Sequence, residues 1–464
     1  MELDGVLLAR IQFAFTIAFH IIFPAFTIGL AAFIAFLEAL WLKSGDVRYH
    51  SLARFWTKVF AVSFAMGVVS GIVLSYQIGT NWSGFSRILG NVLGPLMSYE
   101  VLTAFFLEAT FLGIMLFGWN RVPPWLHFTA SVLVALGTAL SAFWILSANS
   151  WMHSPAGYRI EAGVVYPVDW FAIVFNPTFP LRFAHMMVAA YLTTAFVVLA
   201  VGARYMRRGV HGHGAQLMLR AGLGMALLLA PLQLVIGDLH GLKTAEVQPA
   251  KVAAMEGHWD GSKPAPLILF AWPDVAGERN LMQIGIPNLA SWIITHDPHG
   301  TFPGLKDFSR DLRPPVAPVF FSFRIMVGIG LLMIALALWG GWLWLRGRLL
   351  QSEGFLFVAS WSWPLGFIAV ISGWIVAEVG RQPWVATGLL RTADAVSPVA
   401  PGAVLSSLIL FVVVYAIVFA FGSYYINRLL EKGLPKLPAP PAEGSIVRPI
   451  SAAGDLGRRT LGES

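Results

Sequence analysis

Apolar residues run along this chain in nine long blocks, roughly 8–41, 56–80, 96–119, 127–150, 181–205, 218–239, 318–345, 357–380 and 403–427. Each is long enough to cross a bilayer as a helix. The pattern predicts an all-α, polytopic membrane protein with nine transmembrane helices. Most connections are short. The exception is 240–316, where prolines from Pro249 to Pro315 alternate with apolar patches and Trp259, Trp272 and Trp292. A connection of that length is functional or disordered, and the tryptophans favour an ordered lid on the membrane surface. The expected organisation is helices 1–6 over 1–239, an outer loop over 240–316, helices 7–9 over 317–430 and a Pro/Ala/Gly-rich tail over 431–464.

Basic residues follow the odd-numbered spans: Lys43, Arg48, Arg54 and Lys58 after the first, Arg121 after the third, Arg204, Arg207 and Arg208 after the fifth, Arg346 and Arg348 after the seventh, and Arg428, Lys432 and Lys436 after the ninth. The positive-inside rule then predicts an outer N-terminus and a cytoplasmic C-terminus. Composition agrees with a membrane protein. Of 464 residues 57% are hydrophobic and 12% charged, about half the charge of a soluble domain, and the mean hydropathy is +0.70. The net charge of +7 sits in short loops and the tail, so it speaks of orientation and not of nucleic acid. The acidic start, Met-Glu-Leu-Asp, is not the basic opening of a cleaved signal peptide. There is no cysteine, which excludes disulfides, iron–sulfur clusters and thioether-linked haem and leaves His, Met, Glu and Asp for metal chemistry.

Against this apolar background the polar residues stand out. His20 precedes Pro24 by four, so the proline cannot donate to its carbonyl and the first helix should kink there. Glu100 and Glu108 lie on one span, their directions about 80° apart with about 12 Å of rise on an ideal helix. Two acids on an apolar helix point to a proton route or a metal site. Ser141 is on the fourth span. His127, at the start of that span, reads as an interfacial residue, and His211 and His213 as part of a solvated basic turn. The eighth span ends Gly-Trp-Ile-Val-Ala-Glu-Val-Gly-Arg-Gln-Pro-Trp, with Trp374, Glu378 and Arg381. Arg381 shares a helical face with Glu378, and Pro383 stops the helix. The pair is either a structural helix-end clasp or part of a cofactor site.

The predicted topology places His185, Arg324, Met326, Glu378, Arg381 and Glu100 together in the outer half of the membrane, beneath the long loop. A His and a Met at equal depth on different helices can be the axial pair of a low-spin haem, with arginines against its propionates. An ion-coupled transporter would use Glu100, Glu108 and Arg381 but has no use for that pair. A haem-bearing electron-transfer subunit that does not bind oxygen is the second rival.

The motifs carry a specific resemblance over nearly the whole chain. They are Gln-Phe-Ala through His20, Gly-Thr-Asn-Trp at 79–82, Glu100…Phe-Phe-Leu-Glu108, His185, Val-Gln-Pro-Ala-Lys-Val-Ala-Ala-Met-Glu at 247–256, Phe-Arg-Ile-Met at 323–326 and Gly-Arg-Gln-Pro-Trp at 380–384. In these the chain resembles subunit I of the cytochrome bd-type quinol oxidases, and its short outer loop resembles the cyanide-insensitive members. The resemblance implies a multi-pass protein of the bacterial cytoplasmic membrane with three haems. His185 and Met326 would hold the low-spin haem b, with Arg324 beside it. His20, Glu378 and Glu100 match residues at the high-spin haem b and at haem d, or a third haem b in its place. Lys251 and Glu256 match the quinol-loop residues, and Glu108 and Ser141 the inner end of the proton route. Implied partners are membrane quinol, dioxygen, subunit II and a small single-helix accessory subunit. Arg324 and Met326 are two residues apart, about 200° round a helix, so both reach one haem only if the arginine curls back.

Overall fold

The structure is a computed structural model that describes residues 4–210 and 212–434. The first residues of the expected tail, Glu431 and Lys432, are still helical; the tail beyond residue 434, with Lys436, and His211 lie outside the described residues. Among these, eight helical spans are long and apolar enough to cross a membrane, and a ninth is formed by two helices that meet at 43°.

The first span is two helices, α1 (Gly5–Ile22) and α2 (Pro24–Ser44), interrupted at Phe23. The predicted break is there: the His20 carbonyl accepts from the Phe23 N–H at 3.1 Å instead of from residue 24, which is proline. The second span is α3 (Val47–Thr80). The third is α4 (Ser83–Tyr99), a wide π-turn over Glu100–Phe105, and α5 (Phe106–Phe117). It begins well before the expected 96, because Leu89, Val92, Leu93 and Leu96 bury one face of an amphipathic extension. Glu100 therefore sits mid-span, not at the outer start of the helix.

α6 (Pro124–His153) is the fourth span. After it come a hairpin of β1 (Tyr158–Glu161) and β2 (Val164–Pro167) and the short α7 (Trp170–Val174). The fifth and sixth spans are α8 (Phe179–Arg207) and α9 (His213–Val247), the latter extending past the expected 239. Gly202 and Gly222 face the partner helix's backbone in this pair, where any side chain would collide with it. The buried core of the bundle is centred on α2, α3, α8 and α9, with Leu30, Ile34, Trp56, Phe60, Phe196 and Leu223 fully inside.

The long connection expected outside the membrane has a defined structure. It contains α10 (Pro249–Glu256), the antiparallel β3 (Leu267–Asp274) and β4 (Arg279–Ile286), α11 (Leu289–Thr295) and two single 3-10 turns. Val252, Met255, Trp259, Phe302 and Leu305 form its own small core, which rests on Val316 and Val319 of α12 (Val316–Leu345) and on Val376. Burying these apolar residues is what gives a proline-rich connection a fixed shape.

The eighth span departs from expectation. It is not one helix from about 357 but α13 (Glu353–Ser360) and α14 (Leu365–Val379). Pro364 lacks an N–H and disfavours helical backbone at the residue before it, which accounts for the break. After α14 come β5 (Trp384–Ala386), β6 (Leu390–Arg391), α15 (Thr392–Ala395) and the last span, α16 (Pro401–Lys432). Gln12 ties three spans together: its amide donates to Ser407 of α16 at 2.8 Å and its carbonyl accepts from Asn81, next to the end of α3.

Candidate functional site

α14 presents three residues in three directions. Gly373 faces α12, where a Cβ would come within 3.0 Å of the Met326 Sδ. Trp374 packs with Ile21, Ala25, Met186 and Val370, between α1, α2 and α8. Glu378 faces α6. Its carboxylate accepts from the Arg381 guanidinium, from Asn149 Nδ2 at 2.9 Å and from His153 Nε2 at 3.4 Å. The sequence-expected Glu378–Arg381 pair thus forms, but inside a larger cluster. Arg182 of α8 donates to the Asn149 carbonyl oxygen. Lys251 of α10 reaches in from the loop, 3.0 Å from His153 Nδ1 and 2.6 Å from Gln248 Oε1. Burial, then the Arg182 and Arg381 charges, hold the Lys251 ammonium well below the ordinary lysine range.

Lys251 and Glu256 share α10 but not a site. Glu256 leaves the other way and pairs with Arg324 at 2.8 Å. The Arg324 guanidinium also donates to the Ile268 carbonyl and lies over the Phe320 ring, 4.8 Å from its centroid. It is turned to the loop, away from the face of α12 that carries Met326, as their two-residue separation requires.

His185 lies on α8 opposite a face of α9 formed by Gln233, Gly237 and His240. The Gln233 amide is 3.2 Å from the imidazole, the His240 ring centroid is 5.5 Å away, and a Cβ on Gly237 would come within 3.3 Å of the ring. His20 hydrogen-bonds through Nδ1 to Ser70 Oγ at 2.9 Å. The Ser70 hydroxyl spends its own proton on backbone carbonyls of Met66 and Gly67. The network therefore assigns the proton to His20 Nδ1 and leaves the Nε2 lone pair free, the tautomer an axial ligand needs. α3 approaches this ring through Gly71, where a Cβ would lie 3.1 Å from it.

These features fit haem better than a bare ion. Among the described residues no three His, Asp or Glu side chains converge as a metal cage. Three candidate axial ligands each face a glycine of a neighbouring helix. Buried polar atoms without partners gather here: Arg182 Nε, Arg381 Nε and Nη1, and Gln233 Oε1. Buried guanidinium N–H groups left unpaired are costly unless an acceptor such as a propionate completes them.

Along α6 lie the remaining acids. Ser141 donates to Glu100 at 2.7 Å. Ser141 is thus Glu100's partner, and Glu108 lies instead against α6 at Gly137, where a Cβ would be 2.7 Å from its Cγ. Glu100 and Glu378 do not share a depth: their α6 partners, Ser141 and Asn149, are about 12 Å apart along the helix. His127 is not interfacial. It is buried between Glu38, at 2.8 Å, and the Met115 carbonyl, at 3.1 Å.

The profile of the family described as cytochrome bd terminal oxidase subunit I matches residues 8–434. The chain belongs to that family. Cytochrome bd ubiquinol oxidase subunit 1 of Bacillus subtilis is 38% identical over 452 residues, which cover 93% of this chain and 94% of that one. Cytochrome bd-II ubiquinol oxidase subunit 1 of Escherichia coli is 34% identical, covering 93% and 97%. The solved bd oxidase of Geobacillus thermodenitrificans superposes with a TM-score of 0.86 at 31% identity, covering 93% of this chain and 99% of that one. The chain is accordingly a multi-pass protein of the bacterial cytoplasmic membrane, in a family that contains haem and works with a second subunit.

Asn149, His153, Arg182, Gln248, His240 and Glu38 did not stand out in the sequence as site residues. Asn149 and His153, at i and i+4 on the last turns of α6, carried the clearest signal, because polar residues four apart share a face.

Proposed function

We propose that this chain is the haem-bearing subunit of a quinol:oxygen oxidoreductase, oxidising membrane quinol under the outer loop and reducing dioxygen to water. Haem, when bound, would supply one-electron transfer and the iron chemistry of dioxygen reduction. His185 and Met326 would hold the low-spin haem b. Glu378 would hold the high-spin haem b, and His20 the haem d or the haem b in its place. Arg182 and Arg381 would offer their unpaired N–H groups to propionates. Trp374 packs against Ile21, the residue after His20.

The chain's own residues do the rest. Glu256, paired with Arg324, would be the base that takes a proton from a quinol hydroxyl and releases it outside. Lys251 and His153 connect the loop to the Glu378 carboxylate. Glu100 and Glu108, with Ser141, bring protons from the cytoplasmic side, so charge separates by where protons are taken and released. This orientation is supported by the basic residues of the odd-numbered connections. Subunit II and a single-helix accessory subunit complete the assembly.

The observation that carries this is the buried Glu378 cluster with its unpartnered guanidinium N–H groups. The test is the visible spectrum of the purified, reduced oxidase before and after carbon monoxide. Haem bands with a carbon monoxide shift are expected. Absence of haem bands would leave an ion-coupled transporter, and bands without a shift an electron-transfer subunit.

A further inference from the structure

We infer that Glu38, His127 and Ser131 form a proton-loading site at the inner end of α6, which feeds the Glu108–Glu100 route. This rests on the proposed use of those two acids as the proton route. Glu38, on α2, is fully buried, and His127 is 2% exposed. The Ser131 hydroxyl donates to Glu38 Oε1 at 2.6 Å, and His127 Nδ1 lies 2.8 Å from Oε2. The other ring nitrogen, Nε2, is 3.1 Å from the Met115 carbonyl.

The proton count follows from these partners. A carbonyl oxygen only accepts, so Nε2 carries a hydrogen. Nδ1 and the carboxylate oxygen can be 2.8 Å apart only if one proton lies between them, on either atom. The group thus holds one exchangeable proton in a neutral arrangement, as either acid and imidazole or carboxylate and imidazolium. If that proton is passed on, a carboxylate faces an imidazole lone pair, which draws the next proton in. Helix packing alone does not call for an acid and an imidazole here, and ionisable groups inside a membrane span are costly without a use.

The position suits a relay. α6 carries His127, Ser131, Thr138 and Ser141 on one face, since their directions fall within about 80° of one another. Glu108 lies over Gly137, six residues beyond Ser131, about 9 Å of rise and about 120° round the helix, a separation that a chain of two or more waters would bridge. Glu100 follows at Ser141. At the opposite side the cluster is roofed by Trp119, whose ring lies 3.9 Å from that of His127. The charged or titratable groups around it are His50, against Trp119 at 5.2 Å, and Arg54, over the same ring at 5.7 Å, both on α3. Both neighbouring connections, after α2 and after α5, lead to the side read as cytoplasmic.

The experiment compares Glu38→Gln, His127→Gln and Glu108→Gln in the assembled oxidase, reading haem content, proton uptake in a single turnover and the carboxyl bands in infrared difference spectra. Glu38→Gln should keep the haem content, slow proton uptake on the order of tenfold or more and remove one carboxyl band. His127→Gln should slow uptake likewise. Normal uptake in both, with Glu108→Gln slowed, overturns the inference and leaves the Glu108 route standing. Normal uptake in all three removes the route itself. If neither Glu38→Gln nor His127→Gln assembles with haem, the cluster is structural and the inference fails.

Discussion

Lys251 Nζ lies 3.0 Å from His153 Nδ1, while the other nitrogen of that imidazole is 3.4 Å from the Glu378 carboxylate. One neutral ring therefore joins the outer loop to α14, with Nδ1 accepting from the lysine and Nε2 donating to the acid. The loop is wired into the buried cluster and does not merely lie above it.

This placement predicts a pH dependence. The folded chain holds Lys251 well below its usual value, so the unfolded chain binds that proton more tightly. Stability should then rise as pH increases from the folded value towards about 10.4, where the unfolded lysine also loses its proton. Thermal melts from about pH 7 to about pH 9 should show this rise, with a smaller slope in Lys251→Met. Equal slopes would mean that the ammonium is not destabilised where it lies.

Met326 and Gly373 give a spectroscopic pair. Met326→Leu keeps the volume but removes the thioether, so one low-spin haem signal should become high-spin. Gly373→Ala introduces a Cβ about 3.0 Å from Sδ and should displace the thioether, giving a mixture of the two signals. An unchanged low-spin signal in Met326→Leu would remove this residue as a ligand.

Arg324 should matter through the loop. The Arg324–Glu256 pair is nearly buried, and removing one member of such a pair costs about 3–5 kcal/mol. Arg324→Met should expose residues 257–315 to proteolysis and lower quinol oxidation on the order of tenfold, while oxidase activity with an artificial donor persists. Limited proteolysis beside the two assays checks it. A resistant loop with normal quinol kinetics would contradict it.

Ser141 and Glu100 offer the mildest perturbation. Ser141→Ala removes one hydrogen bond worth about 1 kcal/mol, with the haem content unchanged. Turnover should fall severalfold, and Ser141→Thr should restore most of it. Full turnover in Ser141→Ala would detach this hydroxyl from proton delivery.

The number of spans, the interruption beside His20, the Glu378–Arg381 pair and a structured long connection were legible in the sequence because each depends on local order. Block length sets a span, a proline deletes one donor, and i,i+3 spacing sets a shared face. The motifs likewise singled out His185, Met326 and Glu378 as candidate ligands, the role proposed for them. Tertiary structure alone decided who faces whom. Lys251 and Glu256 are five apart on one short helix, yet one enters the Glu378 cluster and the other holds Arg324. Ser141 serves Glu100, not Glu108. Glu38 and His127 are 89 positions apart and meet only because α2 packs on α6. A polar residue in an apolar span announces that it needs a partner, but its partner is set by the rotation and depth of the neighbouring helix, which hydropathy does not encode.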